Sequence, residues 1–115
     1  ILQVLRALQY CHKQNVLHGS LRPENILLAA RLPNCCLKLT DFGILKDYNT
    51  IEIGHKSSEL YLLINLAILS CPLVTPEKAD YKTDIWSVGV ILYMMISGQL
   101  PFFGKTDEEI VVKIV

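Results

Sequence analysis

The chain has no surplus of charge of either sign: eleven Lys and Arg stand against eleven Asp and Glu, a formal net charge of zero over 115 residues. A domain of this length that grips nucleic acid carries a basic excess, so no nucleic-acid partner is expected. Charge is also scarce in total, 19% of residues against a usual ~25%. A disordered tail would be rich in charge and poor in apolar residues, and this chain is the reverse. The four cysteines, Cys11, Cys35, Cys36 and Cys71, form no C-x-x-C pair, and His12, His18 and His55 are scattered. Buried free thiols in a reducing compartment fit that pattern better than a zinc site. No signal peptide opens the sequence, and no apolar run reaches the ~20 residues that span a bilayer. A cytoplasmic chain without a membrane span is expected.

What is abundant is apolar material. Hydrophobic residues make up 51% without counting glycine, above the usual ~45–50% that includes it. One domain of this size should not need so much. The sequence opens inside a helical pattern at Ile1, Val4, Leu5 and Leu8 and closes in the apolar run Ile110 to Val115. The expectation is a fragment, part of whose apolar surface is meant for a partner or for more chain.

Apolar positions 1, 4, 5, 8 and 11 predict a helix to about residue 14, broken by Gly19 and Pro23. Ile26-Leu27-Leu28 and Leu37-Lys38-Leu39, with a turn at Pro33 and Asn34 between them, predict a hairpin. Residues 44–75 read as long and irregular, with Leu60 to Leu69 helical if ordered and Pro72 limiting it. A helix is predicted from Thr83-Asp84 to Gly98 and Pro101. Its residues Ile85, Trp86, Val88, Val90, Ile91, Leu92, Met94, Met95 and Ile96 are apolar on every side, the mark of a central buried helix. Thr106-x-x-Glu109 is a capping box opening a last helix. The fold class is mainly α, with a small β-hairpin.

One constellation carries chemistry. The loop His18-Gly19-Ser20-Leu21-Arg22-Pro23-Glu24-Asn25 ends in Asn before the first strand, and Asp41-Phe42-Gly43 follows the second, 16 residues after Asn25. Asn25 and Asp41 then project from neighbouring strand ends, where two hard oxygens can share a magnesium ion. Phosphoryl transfer asks for little beyond positioning and charge neutralisation. D-F-G alone is a three-letter match; joined to H-x-x-L-x-P-E-N at this spacing it is specific.

These residues resemble the eukaryotic protein kinases. His18 to Asn25 is similar to their catalytic loop, usually H-R-D-L-K-P-E-N, and Asp41-Phe42-Gly43 to the magnesium motif. Thr75-Pro76-Glu77 resembles the A-P-E end of the activation segment, and Asp84 to Leu92 the D-x-W-S-x-G-V-x-L core helix. Residues 97–110 look most like the calcium/calmodulin-dependent and calcium-dependent group. The resemblance covers nearly the whole chain except residues 51–74, and implies that residues 1–115 are part of the large lobe of a kinase domain, the small lobe being absent.

What that resemblance implies holds only where residues match. ATP and magnesium are the implied cofactors, with half of the nucleotide site missing from this chain. Asn25 and Asp41 remain as metal contacts, and Leu27, with Ile91 and Met95 beneath it, lies under the adenine or is ordinary core. Ser20 stands where the family has its base Asp, and a hydroxyl of high pKa cannot take up a proton at neutral pH. Arg22 stands for the Lys that steadies the phosphoryl group, keeping charge and changing geometry. Gly19 stands for the Arg that pairs an activation-loop phosphate. Structural duties fall to His18 stacked near Phe42, to Gly43, to Glu77, and to Asp84, which in the family bonds the catalytic-loop backbone. Met94-Met95 reads as core and Asp107-Glu108-Glu109 as a solvated helix start.

The function implied is a protein serine/threonine kinase, impaired through Ser20, with a pseudokinase scaffold for nucleotide or partner as the alternative. The implied partners are ATP, a protein substrate or partner protein, and a calcium-sensing domain elsewhere in the parent. The stretch Leu60 to Leu69, apolar at nine of ten positions, fits worst. A buried or partner-docking helix, a cover over the cleft, and a stretch not native to the fold all stay open.

Overall fold

A computed structural model describes residues 1–32, 34–42 and 80–115. The expectations for residues 44–75, for Leu60 to Leu69, and for Gly43 and Thr75-Pro76-Glu77 lie outside the described residues. Three helices and one two-stranded antiparallel sheet make up the described elements: α1 (Leu2–Lys13), β1 (Ile26–Leu28), β2 (Leu37–Leu39), α2 (Tyr81–Ser97) and α3 (Asp107–Ile114). The mainly helical class with a small hairpin is what forms.

Helix α1 buries Val4 and Leu8, two of the residues in the apolar stripe. Its end falls at Lys13, as the expected end near residue 14 has it. Asn15 adopts φ 57, its N–H donates to His12 O at 3.0 Å, and the Val16 N–H donates to Cys11 O at 2.9 Å. That is a Schellman closure with asparagine, which tolerates the left-handed region, in the usual glycine position. A short 3-10 turn, Pro23–Asn25, then feeds β1, and Ile26, Leu27 and Leu28 pair with Leu39, Lys38 and Leu37.

Helix α2 begins two residues before the expected Thr83. Asp80 is its N-cap, the carboxylate Oδ1 accepting the Lys82 N–H at 2.8 Å. It stops where expected, at Gly98 with φ 69, whose N–H donates to Met94 O at 2.9 Å. The all-round burial expected of α2 is realised on one face. Thr83, Asp84, Ser87, Val88, Val90 and Ile91 are buried, while Ile85, Leu92, Tyr93, Met95 and Ile96 are exposed among the described residues. Met95, read as core, is 68% exposed. Trp86 is half-buried and stacks on Phe102 with centroids 5.5 Å apart. The physical reason is that α1 and the catalytic-type loop supply one apolar partner surface, and the described chain places nothing comparable on the opposite face.

The core gathers Val4 and Leu8 of α1, Leu21 of the loop, and Val88 and Ile91 of α2, with Ile26, Leu37 and Leu39 of the hairpin packed against it. Each such side chain contributes about 1.5–3 kcal/mol when fully buried. Leu21 therefore anchors the loop that carries Ser20 and Asn25. In α3, Thr106 Oγ1 accepts the Glu109 N–H at 3.4 Å, and Glu109 Oε2 reaches back to the Lys105 N–H at 2.8 Å. The capping box forms, with the carboxylate one residue further back than the usual N-cap amide. Among the described residues no helix is long and apolar enough to cross a membrane.

Candidate nucleotide and phosphoryl-transfer site

The loop between α1 and β1 is held from beneath by one carboxylate. Asp84, in the first turn of α2 and 1% exposed, accepts the His18 N–H at 3.0 Å on Oδ2 and the Gly19 N–H at 2.9 Å on Oδ1. A third donor comes from α1: His12 Nε2 lies 2.7 Å from Asp84 Oδ2. The carboxylate is an acceptor only, so the imidazole donates through Nε2–H in either charge state. The His12 ring also lies against Tyr81 at 4.6 Å, and Tyr81 Oη donates to Asn15 Oδ1 at 3.2 Å. Main-chain donors and a side-chain donor thus converge on one buried charge, which is how such a charge becomes tolerable.

Gly19 takes φ 67, a conformation that suits the residue without a Cβ, and this lets its N–H point down at Asp84. His18, wholly buried, packs against Phe42 with centroids 4.3 Å apart and the rings tilted by 32°. Its Nδ1 accepts the Ser20 N–H at 3.3 Å, so the neutral ring keeps its proton on Nε2. Burial holds the His18 pKa below its ordinary value, outweighing the opposite pull of the Asp84 and Asp41 carboxylates.

Ser20 and Asn25 are both buried, and the Asn25 amide is committed to the serine. Its Nδ2 donates to Ser20 O at 2.8 Å and lies 3.4 Å from Ser20 Oγ. That leaves the amide oxygen as the group a cation could use. The Asn25 carbonyl accepts the Thr40 N–H at 3.0 Å, which closes the open end of the hairpin and sets residue 40 opposite residue 25, with Asp41 the next residue along. Asp41 is exposed, takes φ 61, and its Oδ2 accepts from Thr40 Oγ1 at 3.3 Å. Two hard oxygen donors on adjacent strand ends fit magnesium, which keeps waters and takes few protein ligands. Among the described residues no group of three or more His, Cys, Asp or Glu gathers as a metal cage.

Arg22 is half-buried at the entry to the 3-10 turn. Leu27 sits mid-strand and is 48% exposed, so of its two readings the ordinary core one does not describe it. Ile91, expected beneath Leu27, is 4% exposed and belongs to the core. The structure therefore brings together His18, Ser20, Asn25, Asp41, Phe42 and Asp84. Gly43 and Glu77 lie outside the described residues.

Two contributors escaped the reading of the sequence. His12 continues the apolar stripe one turn past Leu8, and a polar residue in that stripe was the signal. Gln3, exposed on α1, bonds the hairpin at two points: its Nε2 donates to Cys35 O at 3.1 Å and its Oε1 accepts the Leu37 N–H at 2.9 Å. No periodicity marks it.

The model of the protein kinase domain family matches residues 1–115. The chain belongs to that family. It is 43% identical over 108 residues to 3-phosphoinositide-dependent protein kinase B of Dictyostelium discoideum, covering 93% of this chain and 12% of that protein. It is 38% identical over 99 residues to MAP kinase-activated protein kinase 2 of Cricetulus longicaudatus, covering 86% of this chain and 29% of the relative. Calcium-dependent protein kinase 3 of Plasmodium yoelii yoelii is 33% identical over 110 residues, 94% of this chain and 19% of the relative. The chain spans less than a third of the length of each of these relatives. Kinase domains of this family use ATP and magnesium, and among the described residues Asn25 and Asp41 offer oxygens of the kind that metal takes.

Proposed function

We propose that this kinase domain takes part in ATP-magnesium-dependent phosphoryl transfer to serine or threonine of a protein, at a rate impaired by Ser20. Asn25 and Asp41 hold the metal, Leu27 faces the adenine, and Arg22 lies by the transferring group. When bound, the metal neutralises charge on the phosphates. Ser20 orients Asn25 through its carbonyl and takes no proton from a substrate hydroxyl. The observation that supports the reading is that Asn25 is tied to Ser20 and to Thr40, the residue before Asp41, in a loop without a carboxylate at position 20. A positioned general base is worth ~10²–10⁴-fold, about 3–5 kcal/mol of barrier.

Single-turnover transfer by the full-length protein tests this. Ser20→Asp raises it at least ~tenfold, a modest share of what a general base supplies. A wild-type rate in the ordinary kinase range of ~1–100 s⁻¹ sinks the reading.

A second reading rests on the same observation: metal-side contacts without a base suit a scaffold that holds nucleotide or a partner without turnover. Wild-type binding of ATP-magnesium with no transfer in either wild type or Ser20→Asp selects it. The likeness to a calcium-dependent kinase supports a calcium-sensing domain elsewhere in the parent, and the cysteine usage supports a cytoplasmic setting.

A further inference from the structure

We propose that Gln3 is a positioning residue that sets the register of the β1–β2 hairpin and, through it, the placement of Asp41 beside Asn25. The hairpin has little of its own to hold it: each strand is three residues long, and a two-stranded hairpin alone is marginal in water. Its ladder alternates. Ala29 N–H donates to Cys36 O at 2.9 Å and Thr40 N–H to Asn25 O at 3.0 Å, with Leu27 opposite Lys38 between them. Cys36, Lys38 and Thr40 therefore turn their backbone groups toward β1, and Cys35, Leu37 and Leu39 turn theirs to the outer edge.

The Gln3 amide sits on that outer edge as a peptide group of a third strand would. Its N–H donates to Cys35 O and its carbonyl accepts Leu37 N–H, one donor and one acceptor matched to two consecutive outward-facing groups. If β2 slipped by one residue, Cys36 O and Lys38 N–H would take those places and point the wrong way. The apolar residues of so short a strand resist such a slip weakly, although a slip carries every side chain to the other face. It would also displace Asp41 from Asn25 by about one residue's rise, ~3.3 Å, more than a shared cation tolerates.

The consequence for metal rests on the proposed function; the consequence for register does not. The test uses the full-length protein and three variants. Gln3→Leu removes both contacts, Gln3→Glu keeps the acceptor for Leu37 and loses the donor to Cys35, and Gln9→Leu makes the same chemical change at an exposed position of α1. In the ligand-free protein, amide exchange at Leu37 rises about tenfold or more in Gln3→Leu relative to Gln9→Leu, and rises less in Gln3→Glu. With ATP as the probe, the dissociation constant in the presence of magnesium rises about fivefold or more in Gln3→Leu, while that for ATP without magnesium stays within about twofold. A role in stability alone would weaken both alike. Unchanged Leu37 exchange in Gln3→Leu overturns the register assignment, and equal loss with and without magnesium overturns the positioning of Asp41. A wild type that binds no ATP-magnesium defeats the proposed function instead, and the exchange measurement then decides the register on its own.

Discussion

Removal of the Asp84 carboxylate is the perturbation whose size the structure best defines. Asp84→Ala leaves the His18 and Gly19 N–H groups without their acceptor in a site where Asp84 is 1% exposed, and strips His12 of its partner. A buried donor left unsatisfied costs about 1–3 kcal/mol, so the two amides alone set about 2–6 kcal/mol. Asp84→Asn is milder. Its one oxygen can serve only one of the two amides, and its NH₂ must face the other. With its oxygen in the Oδ2 place the asparagine still accepts from His18 and His12 and only the Gly19 N–H is opposed, so the cost is about 1–3 kcal/mol. Urea unfolding of the full-length protein measures both, provided the slope with denaturant is unchanged between variants. An Asp84→Ala loss below about 1 kcal/mol would refute the reasoning, because a buried acceptor of three donors cannot be that cheap to remove.

Four further outcomes follow from the same geometry. His12→Phe keeps the ring against Tyr81 but removes the Asp84 contact, and costs about 1.5–3 kcal/mol in unfolding experiments; His12→Gln, which restores an amide donor, recovers part of it. Gly19→Arg puts a side chain at φ 67 and lowers stability by about 1–2 kcal/mol, with no gain in single-turnover phosphoryl transfer. Leu8→Ala, in the centre of the core, costs about 2–5 kcal/mol by thermal or chemical unfolding. His18 gives a pH signature: its folded pKa lies below the ordinary 6.5, so the unfolded chain binds the extra proton first as pH falls. The stability it supports is full above the unfolded value and declines as pH falls from there through the folded value, a slope that His18→Gln abolishes in pH-dependent unfolding.

Residues that act locally were legible in the sequence. The hairpin, the glycine stop at Gly98 and the Thr106 cap depend on near neighbours, and pattern reading located them. The loop from His18 to Asn25 was legible because it resembles the kinase catalytic loop in residue type and spacing. What escaped was set by partners far along the chain. His12 and Asp84 are 72 positions apart, and Gln3 bonds residues 32 and 34 positions away, so nothing local names the partner of either. The burial of α2 was misjudged for a related reason: its composition is apolar on every side, but which face is covered depends on where α1 and the loop dock.

The way the loop is held bears on what a serine at position 20 does to this fold. The contacts that shape residues 18–25 run through main-chain atoms at both ends. His18 and Gly19 offer N–H groups to Asp84, Ser20 offers its N–H to the His18 ring and its carbonyl to Asn25, and Asn25 offers its carbonyl to Thr40. None of these needs an acidic side chain at position 20. Among the described residues the hydroxyl of Ser20 adds the long 3.4 Å contact to Asn25 Nδ2. Under the proposed function, a serine there supplies no proton acceptor yet leaves the hydrogen bonds around Asn25 in place. On the same proposal, binding of metal-nucleotide and turnover separate, and Ser20→Asp changes the rate of the chemical step far more than the affinity for ATP-magnesium. A variant whose affinity and rate move together would mean that position 20 shapes the loop after all.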